Sequence, residues 1–600
     1  MALVAFGLRV VPLLVRTAVS EYTWARSGDS VKGSVSQYTY RDLDELKKFS
    51  PRSPLRIIAL IDFDAFYAQC EVVRLRLQPS TPLAVQQWNA IIALNYPARE
   101  SGLKRGASIE EARRLCPEIV LQHVATWREG ETTWAYRPDV TKHMATDKSA
   151  LDPYRLQSRK CFEFIRSLLA DEPVQRVEKA SIDEVFLDLS AQVHQIMLRQ
   201  FPELAEQPDD LEQYLPSPNF SSLLDWAEDY VVDVENADPR PDWDDIALNI
   251  GAGIVRRIRA EVLIHFGYTC SAGISRNKVV AKLGAGFKKP NQQTVIPTQA
   301  TCSFLAKHIV KLTKIRGLGG KLGQQVIASF GSDRVDDILR IPIEDLKAKL
   351  GKESGCWVYD VVRGREWSVV TSRLVVQSMP SAKTFVPSVG SFEQAMKWLR
   401  IFAADLMGRL TELQSEYPRQ PTVVALHHHI NGRFGPTRSK QATIPSGSRV
   451  DEMAIFAWSK ALLRQVCDEG VAWPCASLSI SISGFQPLVS QNHRITSFFT
   501  TEPANGKRLS DACEEDEGKQ QGLKRICTGA GHETALEEMN STCASSKTDR
   551  MGSLRNKSHD LQAESMFSYD CPKCSQSIQA TQVLEHLDWH TALEMQESGE

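Results

Sequence analysis

The chain has 600 residues, a formal net charge of −2 and 42% hydrophobic residues, an ordinary globular composition with length for roughly three or four domains. The 13 cysteines stand mostly alone in apolar settings (Cys70, Cys116, Cys161, Cys270), which excludes a disulfide framework and fits a reducing, intracellular compartment. Beyond the leader described next, no segment is long or apolar enough to span a membrane.

In chain order, Met1 to Val19 is apolar, carries Arg9 and Arg16 and lacks acids, a weak likeness to a signal or transit peptide. Arg9 interrupts the apolar run and no convincing cleavage site follows, so residues 1–52 are expected to be a disordered leader. Residues 55–190 alternate short strand-like runs with amphipathic helical stretches. Leu55 to Ile61 and Val185 to Leu189 predict strands, and Ala65 to Leu77 predicts a helix. From about 191 to 245 the pattern dissolves into Pro, Asp, Glu and Ser, which predicts an acidic, poorly ordered insertion. Order resumes with a helix at Ile246 to Phe266, a strand at Thr269 to Ile274 and a helix from Asn277.

Lys278, Lys282, Lys288, Lys289, Lys307, Lys311, Lys314, Arg316 and Lys321 form a basic run, so a basic face is compatible with a neutral chain. Within it, Arg316-Gly-Leu-Gly-Gly-Lys-Leu-Gly323 is a glycine-rich turn between helical segments. Gly317, Gly319, Gly320 and Lys321 suit the close approach of backbone N–H groups to nucleic-acid phosphates in a helix-hairpin-helix. Val375 to Leu488 is a second α/β region with strands at Thr422 to Ile430 and Ser477 to Ser483 and a hairpin turn at Asn431-Gly432. His427, His428 and His429 lie in the first of these strands, where alternation sends neighbours to opposite faces and disfavours a metal site.

Chemistry concentrates in Lys179-Ala-Ser-Ile-Asp-Glu-Val-Phe-Leu-Asp-Leu189, where Asp183 and Glu184 adjoin a strand, with Asp62 at the end of another. Like charges crowd together unfavourably unless cations neutralise them. Carboxylates on rigid strands suit Mg²⁺, and a pair of such ions stabilises attacking and leaving oxygens in phosphoryl transfer. Phosphoryl or nucleotidyl transfer is therefore the leading chemistry.

Asp62-Phe-Asp-Ala-Phe-Tyr-Ala-Gln-Cys-Glu71, Tyr96-Pro-Ala-Arg99, Ala180-Ser-Ile-Asp-Glu184 and Ala272-Gly-Ile-Ser-Arg-Asn-Lys278, in this order and spacing, resemble the Y-family translesion DNA polymerases. The resemblance covers about Ser53 to Leu488 with gaps, plus the C-terminal tail. It implies an α/β (α+β) multidomain protein, a right-hand palm, fingers and thumb with a little-finger domain and a C-terminal ββα zinc finger. The expected boundaries are 1–52 leader, 53–85 palm, 86–130 fingers, 131–300 palm with the insertion, 301–374 thumb with the helix-hairpin-helix, 375–488 little finger, 489–565 disordered tail and 566–600 zinc finger.

By the same resemblance, Asp62, Asp183, Glu184 and the backbone carbonyl of Phe63 hold two Mg²⁺ ions. Tyr96, Arg99 and Lys278 hold the incoming triphosphate, with Lys282 ranked behind Lys278. Tyr67 is the steric gate against a ribose 2′-hydroxyl, Arg105 touches the nucleotide, and Gln87 touches the template base. Asp64 and Asp188 are read as structural acids. The implied activity is DNA-templated addition of deoxynucleotides opposite damaged bases such as ultraviolet-induced thymine dimers, in the nucleus.

Cys571, Cys574, His586 and His590 have two-Cys two-His spacing for one Zn²⁺. The finger's helix carries Glu585, Asp588, Glu594 and Glu597 without a basic residue, which points to a protein partner rather than phosphates. It resembles a ubiquitin-binding zinc finger in which Asp588 contacts ubiquitin. Ile495, Phe498 and Phe499 resemble a sliding-clamp-binding box, though its usual leading glutamine falls at Asn492, and another translesion polymerase or scaffold is the alternative partner. Two other readings compete for the whole chain: a palm-type nucleotidyl cyclase, which needs no glycine-rich backbone grip, and an inert DNA-binding scaffold, which needs no complete acid set.

Overall fold

A computed structural model describes residues 35–170, 174–218, 224–234, 241–372, 376–430 and 437–487, and the backbone of two short strands, Ser568–Asp570 and Ser577–Gln579. At its centre lies a six-stranded sheet in the order Tyr230–Val231, Gln293–Val295, Cys270–Ser275, Ile58–Phe63, Glu184–Asp188, Arg176–Lys179. The Ile58–Phe63 strand is apolar on both faces because both are covered. One face meets the helices Asp152–Ser167, Ser190–Gln200 and Trp243–Phe266 in the largest core. Against the other lies the helix Lys278–Phe287, whose Ala281 and Ala285 pack on Ile58, Leu60 and Phe186. Gly273 makes this contact possible: a Cβ there would stand 2.0 Å from the Ala281 carbonyl oxygen.

A second, three-stranded sheet (Ala90–Leu94, Leu83–Gln87, Val120–His123) carries the short helices Tyr96–Glu100 and Ile109–Leu115 around its own small core. A helical unit follows, with Lys321–Phe330, Val335–Leu339, Ile343–Leu350 and Lys352–Val361. The last large unit is a four-stranded antiparallel sheet, Ser378–Val389, Cys475–Ser483, Val423–Ile430, Thr437–Thr443, backed by Phe392–Glu416 and Glu452–Asp468. There His428 points into the core while His427 and His429 bond Ser439 and Thr437. The Asn431-Gly432 turn lies outside the described residues. Among the described residues no helix is long and apolar enough to cross a membrane.

Two expectations change. Within the expected leader, Val35–Thr39 is a strand and Tyr40–Lys47 a helix opened by a capping box between Thr39 and Asp42. Leu43 and Leu46 of that helix are fully buried in the main core. Nor is the acidic insertion without structure. Tyr214–Pro216 pairs with Val35–Thr39, and Tyr230–Val231 extends the central sheet as its outermost strand. The stretch also contains most of the helix Ser190–Gln200 and the start of Trp243–Phe266, and its strands, of two or three residues, are too short to leave a period in the sequence.

Candidate active site

The three acids meet at one end of the central sheet. Asp62 lies directly opposite Glu184 in the antiparallel pairing of Ile58–Phe63 with Glu184–Asp188. The Phe63 N–H donates to the Asp183 carbonyl oxygen at 2.9 Å, and the Ser181 hydroxyl donates to the Asp183 carboxylate at 2.6 Å. Burial, above all, pushes the Asp62 carboxyl up to about 6; Lys289 pulls it down, while Glu184 and Asp183 add to the rise.

Lysines neutralise this cluster. Lys289 donates to Asp62 and lies 3.8 Å from Asp64. Lys282 reaches both oxygens of Glu184 at 2.6 and 2.5 Å. Burial disfavours the Lys289 ammonium, but Asp62 and Asp64 outweigh it and hold its pKa above the ordinary value. With the carboxylates turned to lysines, no three metal-ligating side chains among the described residues form a ready cage. The donor set itself, three carboxylates and the Phe63 carbonyl, is all hard oxygen and suits Mg²⁺. A divalent ion would also relieve the repulsion that raises Asp62.

The other two acids, expected to be structural, are each held by protein partners. Asp64 is buried, and its oxygens accept from the Ser271 hydroxyl and the Asn291 N–H, each at 2.8 Å. Asp188 pairs with Arg56 at 3.3 Å in the interior.

Beside the acids opens a cleft of about 580 Å³ lined by Tyr67, Ile92, Arg99, Leu103, Arg105 and Asp183, among others. The Tyr67 ring stacks on Tyr154, with centroids 4.3 Å apart and planes 12° apart. Tyr154 is held in turn by fully buried Glu71, whose Oε1 accepts from the hydroxyls of Tyr154 at 2.7 Å and Tyr136 at 2.8 Å. Tyr96 opens a helix capped by Asn95, and Arg99 lies 4.6 Å over its ring. Burial first, then the charge of Asp64, raises the Tyr96 phenol; Lys289 and Arg99 oppose the rise, which puts all of these groups in one neighbourhood.

The family models match the same stretches. The impB/mucB/samB family model covers residues 61–286, its C-terminal domain covers 376–497, the DNA polymerase eta/Rev1 helix-hairpin-helix motif covers 311–365, and the ubiquitin-binding zinc finger covers 568–598. DNA polymerase eta of Arabidopsis thaliana is 30% identical over 77% of this chain and 68% of its own length. The chain belongs to the Y-family DNA polymerases, as a homologue of DNA polymerase eta. The Saccharomyces cerevisiae DNA polymerase eta is 28% identical over 81% of the chain and 85% of that protein. A Schizosaccharomyces pombe protein named N-acetyltransferase eso1 is 34% identical over 93% of the chain, which spans 64% of that protein's length. The chain spans 52% of the Drosophila melanogaster DNA polymerase eta.

In this Y-family chain, one expected site residue is displaced. Lys278 does not join the acids: its ammonium donates to Glu178 at 2.8 and 2.7 Å and lies 3.5 Å from the Val369 carbonyl. The reason is direction. The strand Cys270–Ser275 runs from Phe63 towards Ile58, so the next helix begins at the end of the sheet away from Asp62. A ten-residue helix spans ~15 Å at 1.5 Å per residue, and only its exit, at Lys288 and Lys289, returns to the acids. Lys289, read from sequence only as part of a basic run, is the lysine that reaches Asp62.

Gln87 ends its strand and is not among the residues lining the cleft; beside it the Trp88 N–H donates to His123 Nε2 at 2.8 Å. The glycine-rich turn lies apart in the helical unit, where Gly317 has φ +92° and Gly320 precedes the Lys321–Phe330 helix. Gly323 allows close packing, since a Cβ there would stand 1.8 Å from the Leu318 carbonyl oxygen. Cys571, Cys574, His586, Asp588, His590, Ile495, Phe498 and Phe499 lie outside the described residues. The paired strands Ser568–Asp570 and Ser577–Gln579 flank the two cysteines in sequence.

Proposed function

We propose that this chain is a DNA-directed DNA polymerase of translesion synthesis, adding deoxynucleotides to a primer 3′-hydroxyl opposite damaged template bases such as thymine dimers. The observation that carries this reading is Asp62 opposite Glu184, with Asp183 adjoining, at the mouth of a cleft holding Tyr67 and Arg99. The central sheet is the palm, the three-stranded unit the fingers, the helical unit the thumb and the four-stranded unit the little finger.

Asp62, Asp183, Glu184 and the Phe63 carbonyl would hold the divalent ions. When bound, two Mg²⁺ ions lower the pKa of the primer hydroxyl and offset charge on the triphosphate. The primer oxygen attacks the α-phosphorus and pyrophosphate leaves. Tyr96, Arg99 and Lys289 donate to the triphosphate oxygens, the guanidinium bidentately. Tyr67, braced by Tyr154, packs under the sugar and excludes a 2′-hydroxyl. Arg105 reaches the nucleotide, Gln87 the template, and the Gly317–Lys321 turn the DNA backbone.

The finger at 568–598 binds one Zn²⁺ and, through Asp588, ubiquitin on a modified sliding clamp, which implies work in the nucleus. Primer extension across a thymine dimer with Mg²⁺ tests the enzyme. Wild type extends and Asp183→Ala does not, while both bind primer-template; wild-type extension by Asp183→Ala refutes the site. For the finger, ubiquitin binding that survives zinc chelation or Asp588→Ala refutes its assignment.

A further inference from the structure

The acidic insertion grips the loop that carries Lys289. Its strand Tyr230–Val231 runs parallel to Gln293–Val295, with Tyr230 beside Thr294. Lys289 sits in the loop between the Lys278–Phe287 helix and that strand. The Lys288 ammonium lies 3.7 Å over the Tyr230 ring, whose centroid is 5.7 Å from that of Phe287. Gln293 Nε2 donates to Asp229 Oδ2 at 2.9 Å, and Gln292 Nε2 donates to the Glu228 carbonyl at 3.1 Å. Asp229 is itself anchored to the Trp243–Phe266 helix by Arg256 at 2.6 Å, with its side chain 2% exposed. On the palm side, the Asn291 N–H donates to Asp64 and the Asn291 side-chain oxygen accepts from Arg259.

We propose that Asp229 and Tyr230 are positioning residues for Lys289. Phe287, Lys288, Gln292 and Gln293 are tied to the insertion, Asn291 is tied to the palm, and Lys289 projects from between these anchors towards Asp62. A lysine side chain has many rotamers to lose on binding phosphate. Fixing its backbone beforehand lowers that ordering cost for each incoming nucleotide. The insertion is thus a brace for triphosphate capture rather than a tolerated surface loop. This rests on Lys289 being the triphosphate lysine.

Steady-state incorporation by the full chain tests it. Tyr230→Ala and Asp229→Asn should each raise the KM for deoxynucleotide about 5- to 10-fold, with kcat within about twofold and primer-template affinity unchanged. Tyr230→Phe, which keeps the ring, should restore the wild-type KM. In a Lys289→Ala background, Tyr230→Ala should add no further rise, because the group it positions is gone. If Tyr230→Ala does not fold, Lys288→Met removes the cation over the ring and should raise KM in the same direction. Unchanged KM in the folded variants, or a fully additive double mutant, overturns the brace. Should Lys289→Ala leave KM untouched, the assignment of Lys289 fails instead, and that single variant separates the two failures.

Discussion

The Lys289 ammonium rests on the Asp62 carboxylate, whereas Lys278 rests on Glu178, whose second oxygen also accepts the Thr371 N–H at 2.9 Å. The two lysines therefore meet different partners. Lys289→Met should lower kcat/KM for nucleotide about 10- to 100-fold through loss of one charged phosphate contact. Lys278→Met should leave the nucleotide KM unchanged and instead loosen residues 368–371 from the central sheet, lowering the melting temperature. Nucleotide titrations and calorimetry on both variants check this; a KM effect at Lys278 alone would reverse the assignment.

Asp62→Asn should abolish extension, by at least ~10³-fold, without destabilising the fold in the absence of divalent ions. The carboxylate is held above its ordinary pKa by burial and by Glu184 and Asp183, so its charge opposes folding at neutral pH. Calorimetry without metal, beside extension with Mg²⁺, measures both halves. A large loss of stability would show that the acid is structural.

Tyr67→Ala should admit ribonucleotides, raising their incorporation relative to deoxynucleotides about 10²-fold or more, while Tyr67→Phe keeps discrimination. Single-turnover incorporation of matched pairs is the measurement. The alanine variant also loses the 4.3 Å stack on Tyr154, so a fall in melting temperature accompanies it.

The three-stranded unit should weaken in mild acid through His123. Burial holds this imidazole down at about 4, and its Nε2 accepts the Trp88 N–H. Between pH 6.5 and 4 the unfolded state binds a proton that the folded state refuses. Stability is therefore fully present above 6.5 and lost as pH falls, by about 1–2 kcal/mol at pH 5. His123→Gln should flatten that slope in melting curves taken from pH 7 to 5; an unaltered slope would assign it to other groups.

Gly323→Ala should cost about 2–3 kcal/mol and weaken DNA binding, because its methyl group would drive into the Leu318 carbonyl and distort the turn. Binding isotherms at several salt concentrations would then show a shallower salt slope if Lys321 and its neighbours leave the phosphates.

Much of the acid site is legible without coordinates. An unbroken apolar run ending in Asp62 and a second run beginning at Glu184 predict strands whose ends carry charge, and such strands pair. The buried helix at 40–47 also left a signal, Thr39 with Asp42 followed by Leu43 and Leu46, masked by the apolar leader before it. Glu71 left none: an acid on an amphipathic helix reads as solvated until Tyr136 and Tyr154, distant in sequence, close over it.

By itself the sequence determined which acids stand at strand ends and that the tail carries two-Cys two-His spacing, because side-chain type and local period are local properties. Only the tertiary structure decided which lysine reaches Asp62 and that the acidic insertion supplies an edge strand to the central sheet. Both depend on which end of the central sheet a helix starts from and on a two-residue strand at its edge. Direction and edge pairing are relations between distant segments, and no local pattern records them.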